Sequence, residues 1–448
     1  MKSQTLRSSA LIILCAMPGY CASFFWGNWL NSLSCYKSFF ADFFANRGGV
    51  YSIVSSNNFW EARTICLDPY WQNQWIKTYE YGLVKRGLLG TILKLLLGRE
   101  VNILFLNILF PLIGFVLLCA LIFSVFKLSL LRGRGLALFT ILLSLSPVAK
   151  VIAETSGDPL HVVALLCFSS VLISYIFLNS NIQATQWLYI FIYITCILIY
   201  EGSYLLLLPL LFYDLKIDKK RILCFGLSTL LLVWFSRPES AELGVGLAES
   251  ISVYNPANGL NWSYEAGGGV STSVGFLFNA KNQLGIYLDN PIEYVFRMAR
   301  GFVPFLSIFF ILGIFLRARS IQVMSTFFRE NCLVFLCGLP FFAINHDYFR
   351  YWVFVIFVAT FITFGVLHSQ PYSLDLASKS HKISASLIWI SFLPLTLFVF
   401  AGPFSEDLRV SFPRHAFWGS LFVLTVAYWA YTMMVKKLQP LEESTRRS

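Results

Sequence analysis

Long apolar runs broken by short polar turns fill nearly the whole chain. They lie at 8–29, 101–126, 136–152, 159–178, 186–200, 202–214, 222–236, 301–316, 332–345, 351–368, 383–402 and 416–435. A helix that crosses a bilayer upright needs about 20 apolar residues, and several of these runs are shorter, so the pattern predicts about 12 transmembrane helices with loose boundaries. The short alternating strands of a β-barrel are not the pattern seen. The expected fold is all-α, a polytopic integral membrane protein forming a single domain over residues 1–448. Two large outer loops are expected, at 30–86 and 237–300. The runs at 186–214 read either as one broken helix or as a span with a re-entrant piece. Residues 8–29, interrupted by Pro18-Gly19 and lacking a clean small-residue cleavage site, read as a retained helix. Residues 87–98 are too short to span and predict an amphipathic or re-entrant helix.

Composition agrees. The chain is 57% hydrophobic and 13% charged, whereas soluble domains carry about a quarter charged residues. Its net charge of +11 raises the question of nucleic acid, which the distribution answers. With the N-terminus inside, Lys2, Arg7, Lys127, Arg132, Arg134, Lys216, Lys219, Lys220, Arg221, Arg317 and Arg319 all fall on inner segments. Short outer turns hold only Lys150, Arg350, Arg409 and Arg414. The basic excess is thus mostly a topology signal. Both termini are expected in the cytoplasm, and no nucleic acid is expected as a partner. Most acids map outside. Cys35 and Cys66 share the first outer loop, where a disulfide is an expectation if that compartment is oxidising.

Candidate chemistry gathers where apolar runs end. Lys85-Arg86-Gly87-Leu88-Leu89-Gly90 closes the first outer loop, where it reads as an interfacial anchor or as a cationic mouth for a lipid phosphate. Trp60, Tyr70, Trp71, Trp75, Tyr79 and Tyr81 in that loop read as a sugar-stacking surface or as an interfacial belt. The turn Lys150-Val-Ile-Ala-Glu154-Thr-Ser-Gly157-Asp158-Pro159-Leu-His161 crowds four ionisable groups into a few residues. Asp158 before Pro159 is good helix-capping chemistry, and ionisable groups at a membrane boundary are functional candidates. Glu201 sits in a break between apolar segments. Gly267-Gly268-Gly269 in the second outer loop suggests a lid or a plain connector, and Arg297 near the end of that loop offers a further cation. In Asn345-His346-Asp347-Tyr348-Phe349-Arg350-Tyr351-Trp352, Asp347 and Arg350 are spaced to pair, leaving Arg350 to grip a phosphate. No metal-ligand spacing, nucleotide-binding glycine pattern or Ser-His-Asp arrangement is present, so no cofactor is expected, with a divalent metal left open.

The layout, the Lys85–Gly90 run and the Asp347–Trp352 hairpin together resemble bacterial envelope glycosyltransferases that use polyprenyl-linked sugars. Those enzymes are of GT-C-like type; O-antigen polymerases of the Wzy type share the same features. The resemblance implies glycosyl transfer or polymerisation of a polyprenyl-linked saccharide on the outer face of a bacterial inner membrane, in O-antigen or capsule synthesis. It implies a lipid bilayer and other polysaccharide-assembly proteins as partners. In GT-C enzymes a first-loop carboxylate serves as base or metal ligand, and Asp42, Glu61, Asp68 and Glu80 are the candidates, with no acidic pair to single one out. Glu154, Asp158 or His161 are expected to move the acceptor proton. Lys85, Arg86, Glu201, Arg297, Asp347 and Arg350 are expected to bind substrate. The alternative is a transporter or flippase of such lipids.

Overall fold

The computed structural model describes residues 2–27, 87–97, 103–129, 131–178, 182–212, 218–235, 291–317, 321–342, 348–369, 385–399 and 414–447, with Lys37, Trp75, Tyr79, Gly285, Leu288 and Asp289. Among them all regular structure is helical. Among the described residues, four stretches are long and apolar enough to cross a membrane: Thr5–Phe25, Phe105–Leu128, Pro159–Leu178 and Arg350–Leu367. A fifth arises if Gly133–Ser144 and Pro147–Glu154 are one span bent by 49°. Apolar helices at 183–199, 302–316 and 390–399 are shorter. The described residues are those of an all-helical membrane protein.

The helices run in the order α1 (Lys2–Gly27), α2 (Gly87–Leu97), α3 (Ile103–Leu128), α4 (Gly133–Ser144), α5 (Pro147–Glu154) and α6 (Pro159–Ile173). Then come α7 (Ile182–Ile199), α8 (Ser203–Leu206), α9 (Leu208–Leu211), α10 (Lys219–Phe235) and α11 (Pro291–Arg317). The last four are α12 (Ile321–Phe342), α13 (Tyr348–Ser369), α14 (Ala385–Val399) and α15 (Arg414–Arg447). Two runs that read as continuous in sequence are broken. Pro147 has no N–H to continue α4, and Ser146 restarts the chain as the α5 N-cap, accepting from Val148 N at 3.3 Å. After Ile199 the helix stops at Tyr200-Glu201-Gly202 and resumes as the two short pieces α8 and α9, so the 186–214 stretch is interrupted, as both sequence readings expected.

Helix α13 is the post around which the others stand. Its Arg350–Leu367 window is 94% buried, against 33–50% for the other three long spans, and it packs against α3, α5, α6, α11 and α12. Aromatic rings fill the joints: Trp352 lies 4.8 Å from Phe305 and 5.0 Å from Phe335, and Phe361 lies 5.2 Å from Phe168. Helix α1 runs antiparallel to α3, with Tyr20 donating to the Pro111 carbonyl at one end and Lys127 to the Thr5 hydroxyl at the other. Helices α6 and α7 are antiparallel too, Cys196 facing Val163. Such pairing brings the start of α6 level with the end of α7.

Candidate functional site

One end of this bundle is polar. There the end of α5, the start of α6, the break after α7 and the first turn of α13 come together, and each contributes ionisable or hydroxyl groups. On α5, Lys150 and Glu154 stand four residues apart, the spacing that places two side chains on one helix face. Their Nζ–Oε1 distance is 3.3 Å and both side chains are 1% exposed.

The α5–α6 turn is built by Gly157 and Asp158. Gly157 adopts φ +92°, a left-handed conformation that suits glycine, and a Cβ there would run into the Phe110 ring. Asp158 does two things at once. Its Oδ1 accepts the Leu160 N–H at 2.9 Å, capping α6, while Oδ2 lies 2.9 Å from Arg350 Nη1. The capping expected from the sequence is present, and the same carboxylate also makes an ion pair across the bundle.

Arg350 is itself held twice. Nη2 donates to the Tyr351 hydroxyl at 2.5 Å, and the guanidinium lies over the Tyr351 ring at 4.6 Å. The Tyr351 and Tyr200 hydroxyls are 2.8 Å apart. A guanidinium only donates, so the Tyr351 oxygen accepts from it, while either hydroxyl can donate in the Tyr351–Tyr200 bond. The result is a relay, Asp158–Arg350–Tyr351–Tyr200, that joins the α5–α6 turn to the break after α7. His161, one turn into α6, shares a hydrogen bond between Nε2 and Thr155 Oγ1 at 3.2 Å. Its Nδ1 is buried and has no hydrogen-bond partner among the described residues. It lies within electrostatic reach of both Asp158 and Arg350.

The segment between α1 and α2 reaches this end through Trp75. Its indole N–H donates to the Gly157 carbonyl at 2.6 Å and its ring packs 4.8 Å from Phe110. Trp75 is 3% exposed, so it braces the turn and has no face to offer a sugar. Tyr79 is also tied down, its N–H donating to Thr91 Oγ1 of α2 at 2.8 Å, and burial pushes its hydroxyl ionisation up to about 12.

Glu154, Asp158, His161 and Arg350 are therefore neighbours. Glu201 is buried in the break beside Tyr200. Arg297 lies in the second turn of α11, which begins at Pro291, within a stretch expected as loop. Lys85, Arg86, Asp347, the first-loop acids and the Cys35–Cys66 pair lie outside the described residues. Among the described residues, no three His, Cys, Asp or Glu side chains converge as metal ligands. Tyr200, Tyr351 and Thr155 were not singled out in the sequence, although Tyr200 and Tyr351 each adjoin a residue that was.

The chain matches no protein-family model, no curated protein and no solved structure. Chemistry must speak for itself. The carboxylates of Glu154 and Asp158 are each engaged by a cation, whereas His161 Nδ1 has no hydrogen-bond partner among the described residues. Two cations matched by two carboxylates leave this cluster with little net charge of its own, before Glu201 is counted.

Proposed function

We propose that this protein transfers or polymerises saccharides carried on polyprenyl phosphate or diphosphate, at the outer face of a bacterial inner membrane. About 12 spans, both termini in the cytoplasm and two large outer loops complete the reading. The observation that carries it is the polar end itself: Lys150–Glu154, Asp158–Arg350 and the open Nδ1 of His161 meet at one end of the bundle. In this reading His161 takes the proton of the acceptor hydroxyl at Nδ1, with Thr155 fixing its ring through Nε2. The Asp158–Arg350 pair orders the turn that presents His161. The phosphate of the donor is neutralised by the loop cations Lys85 and Arg86, with Arg297 and Arg350 contributing field as charge develops on the leaving group.

The second reading is a flippase for the same lipids. The 49° break between α4 and α5 and the break after Ile199 favour it, because interrupted helices bearing ionisable groups are a feature of transporter binding sites.

Surface glycan from a deletion strain, complemented with wild type, His161→Gln or Glu154→Gln at matched membrane abundance, tests both. Collapse of a glycan ladder to single repeats in the deletion and in His161→Gln supports a polymerase. An intact ladder lacking one sugar supports a single-sugar transferase. Accumulation of lipid-linked saccharide on the cytoplasmic side supports the flippase, and an unchanged glycan in the deletion strain removes the polysaccharide reading.

A further inference from the structure

A second polar locus lies at the opposite end of the bundle. Eighteen residues along α3 separate Phe110, beside the Gly157 turn, from Leu128, about 27 Å at the rise of a helix. Here the ends of α1, α3 and α4 meet. Arg132, in the link between α3 and α4, is anchored by a single nitrogen. Its Nη1 donates to the Leu131 carbonyl at 2.6 Å and reaches the Phe126 and Ser129 carbonyls at 3.4 and 3.5 Å, which closes the C-terminal end of α3. The guanidinium lies 4.7 Å over the Phe126 ring. Every described hydrogen bond of Arg132 runs from Nη1, so the Nε–Nη2 edge, two parallel N–H groups, has no protein partner among the described residues. The residue is exposed.

Other cations surround it. Lys127 sits 5.3 and 5.7 Å over the Phe123 and Phe126 rings and donates to Thr5. It is close enough to Arg132 for the two charges to repel. Arg7 and Arg134 are exposed at the same end. No Asp or Glu occurs in α1, α3, α4 or in α14, which packs on α4. A topology signal alone requires cations in a loop. It does not require one of them to be anchored at one nitrogen, stacked on an aromatic ring and set beside a second cation. That arrangement lowers the entropy cost of using the open edge and concentrates positive charge on helices that carry no acid, conditions that suit a phosphate oxygen pair.

We propose that this end is a binding site for the phosphate of an anionic membrane lipid, with Arg132 as the bidentate ligand and Lys127, Arg7 and Arg134 supplying field. Exposed apolar residues on the same helices, Leu6 and Leu14 of α1 among them, provide surface for the acyl chains. The site does not depend on the glycosyl-transfer reading.

The test uses the full chain in nanodiscs of phosphatidylcholine with phosphatidylglycerol, counting retained lipids by native mass spectrometry after detergent extraction. Wild type is expected to retain phosphatidylglycerol over phosphatidylcholine. Arg132→Gln, which removes both the charge and the fork, is expected to cut that preference about fivefold, the ratio set by about 1 kcal/mol per basic residue at a lipid surface. Arg7→Ala with Arg134→Ala alters exposed residues only, guards against misfolding at Arg132, and is expected to lower the preference as well. Equal retention of both lipids by wild type overturns the proposal, as does an unchanged preference in both variants. Thermal stabilisation by millimolar inorganic phosphate equal to that by phosphatidylglycerol assigns the site to free phosphate and overturns the lipid assignment.

Discussion

Asp158 shows how much one side chain can settle. One carboxylate oxygen caps α6 while the other holds Arg350, so each half of the residue has a separate energetic role. Breaking a buried ion pair by removing one partner costs about 3–5 kcal/mol, because the other charge is stranded. Asp158→Asn and Arg350→Met are each expected to lower the denaturation midpoint in detergent sharply. The double variant is expected to recover part of the loss, and strictly additive midpoints would show that the pair contributes no coupling. Tyr351→Phe removes an acceptor from Arg350, whereas Tyr200→Phe leaves Arg350–Tyr351 intact, so the first is expected to cost more than the second. Gly157→Ala combines a φ of +92° with a clash on the Phe110 ring and is expected to cost more than about 1 kcal/mol. Local signals at this turn were legible in the sequence: Gly-Asp-Pro announced a turn, and Asp before Pro announced a cap. The bond from Asp158 to Arg350 was not. Asp347, the candidate by spacing, lies outside the described residues, and nothing local reports a carboxylate from a turn nearly two hundred positions away.

At the scale of elements, breaks matter as much as spans. Run 136–152 reads as one helix on hydropathy alone, and Pro147 with the Ser146 cap divides it. That division was visible as a proline but not as a bend, because membrane helices commonly tolerate proline. Helix α1 crosses α4 at Gly19, where a Cβ would meet the Ser144 side chain. Gly19→Leu is expected to push the two helices apart at a cost of about 1–3 kcal/mol, detectable as faster hydrogen exchange in α4, while Gly226→Leu on α10, with open space around it, is expected to be silent. Equal exchange in the two variants would deny the close approach. Trp75→Phe keeps the ring beside Phe110 and loses the bond to Gly157, so it is expected to raise exchange in the α5–α6 turn while leaving α1 unchanged.

Across the whole molecule, hydropathy made the helical class and membrane character legible, while the number of spans stays with the proposed topology. Apolar helices of fewer than 18 residues, such as 302–316 and 390–399, are too short to be assigned as spans by length alone. Single cysteines placed in a cysteine-free background at Asn58, Gly268, Leu130 and Ser320 address this directly. With an impermeant thiol reagent added to intact cells, the first two are expected to react and the last two to be protected. Reaction at Leu130 or Ser320 would reverse the orientation and move the polar end to the cytoplasmic side, where a polyprenyl-linked donor would be assembled rather than consumed.

The bond between Asp158 and Arg350 also has a history in time. A ribosome adding about 5–20 residues per second needs on the order of 10–40 s to reach α13 after it has made the α5–α6 turn. Throughout that interval Asp158 has its cap to Leu160, and Gly157 has Trp75, which was synthesised earlier. Its arginine does not yet exist. The newborn helix pair must wait in or near the bilayer with an acid at its tip, and the arrival of α13 both fills the centre of the bundle and neutralises that acid. Truncations ending before Tyr348 should therefore be degraded far faster than truncations ending after Ser369, making α13 the checkpoint at which this protein becomes acceptable to the membrane.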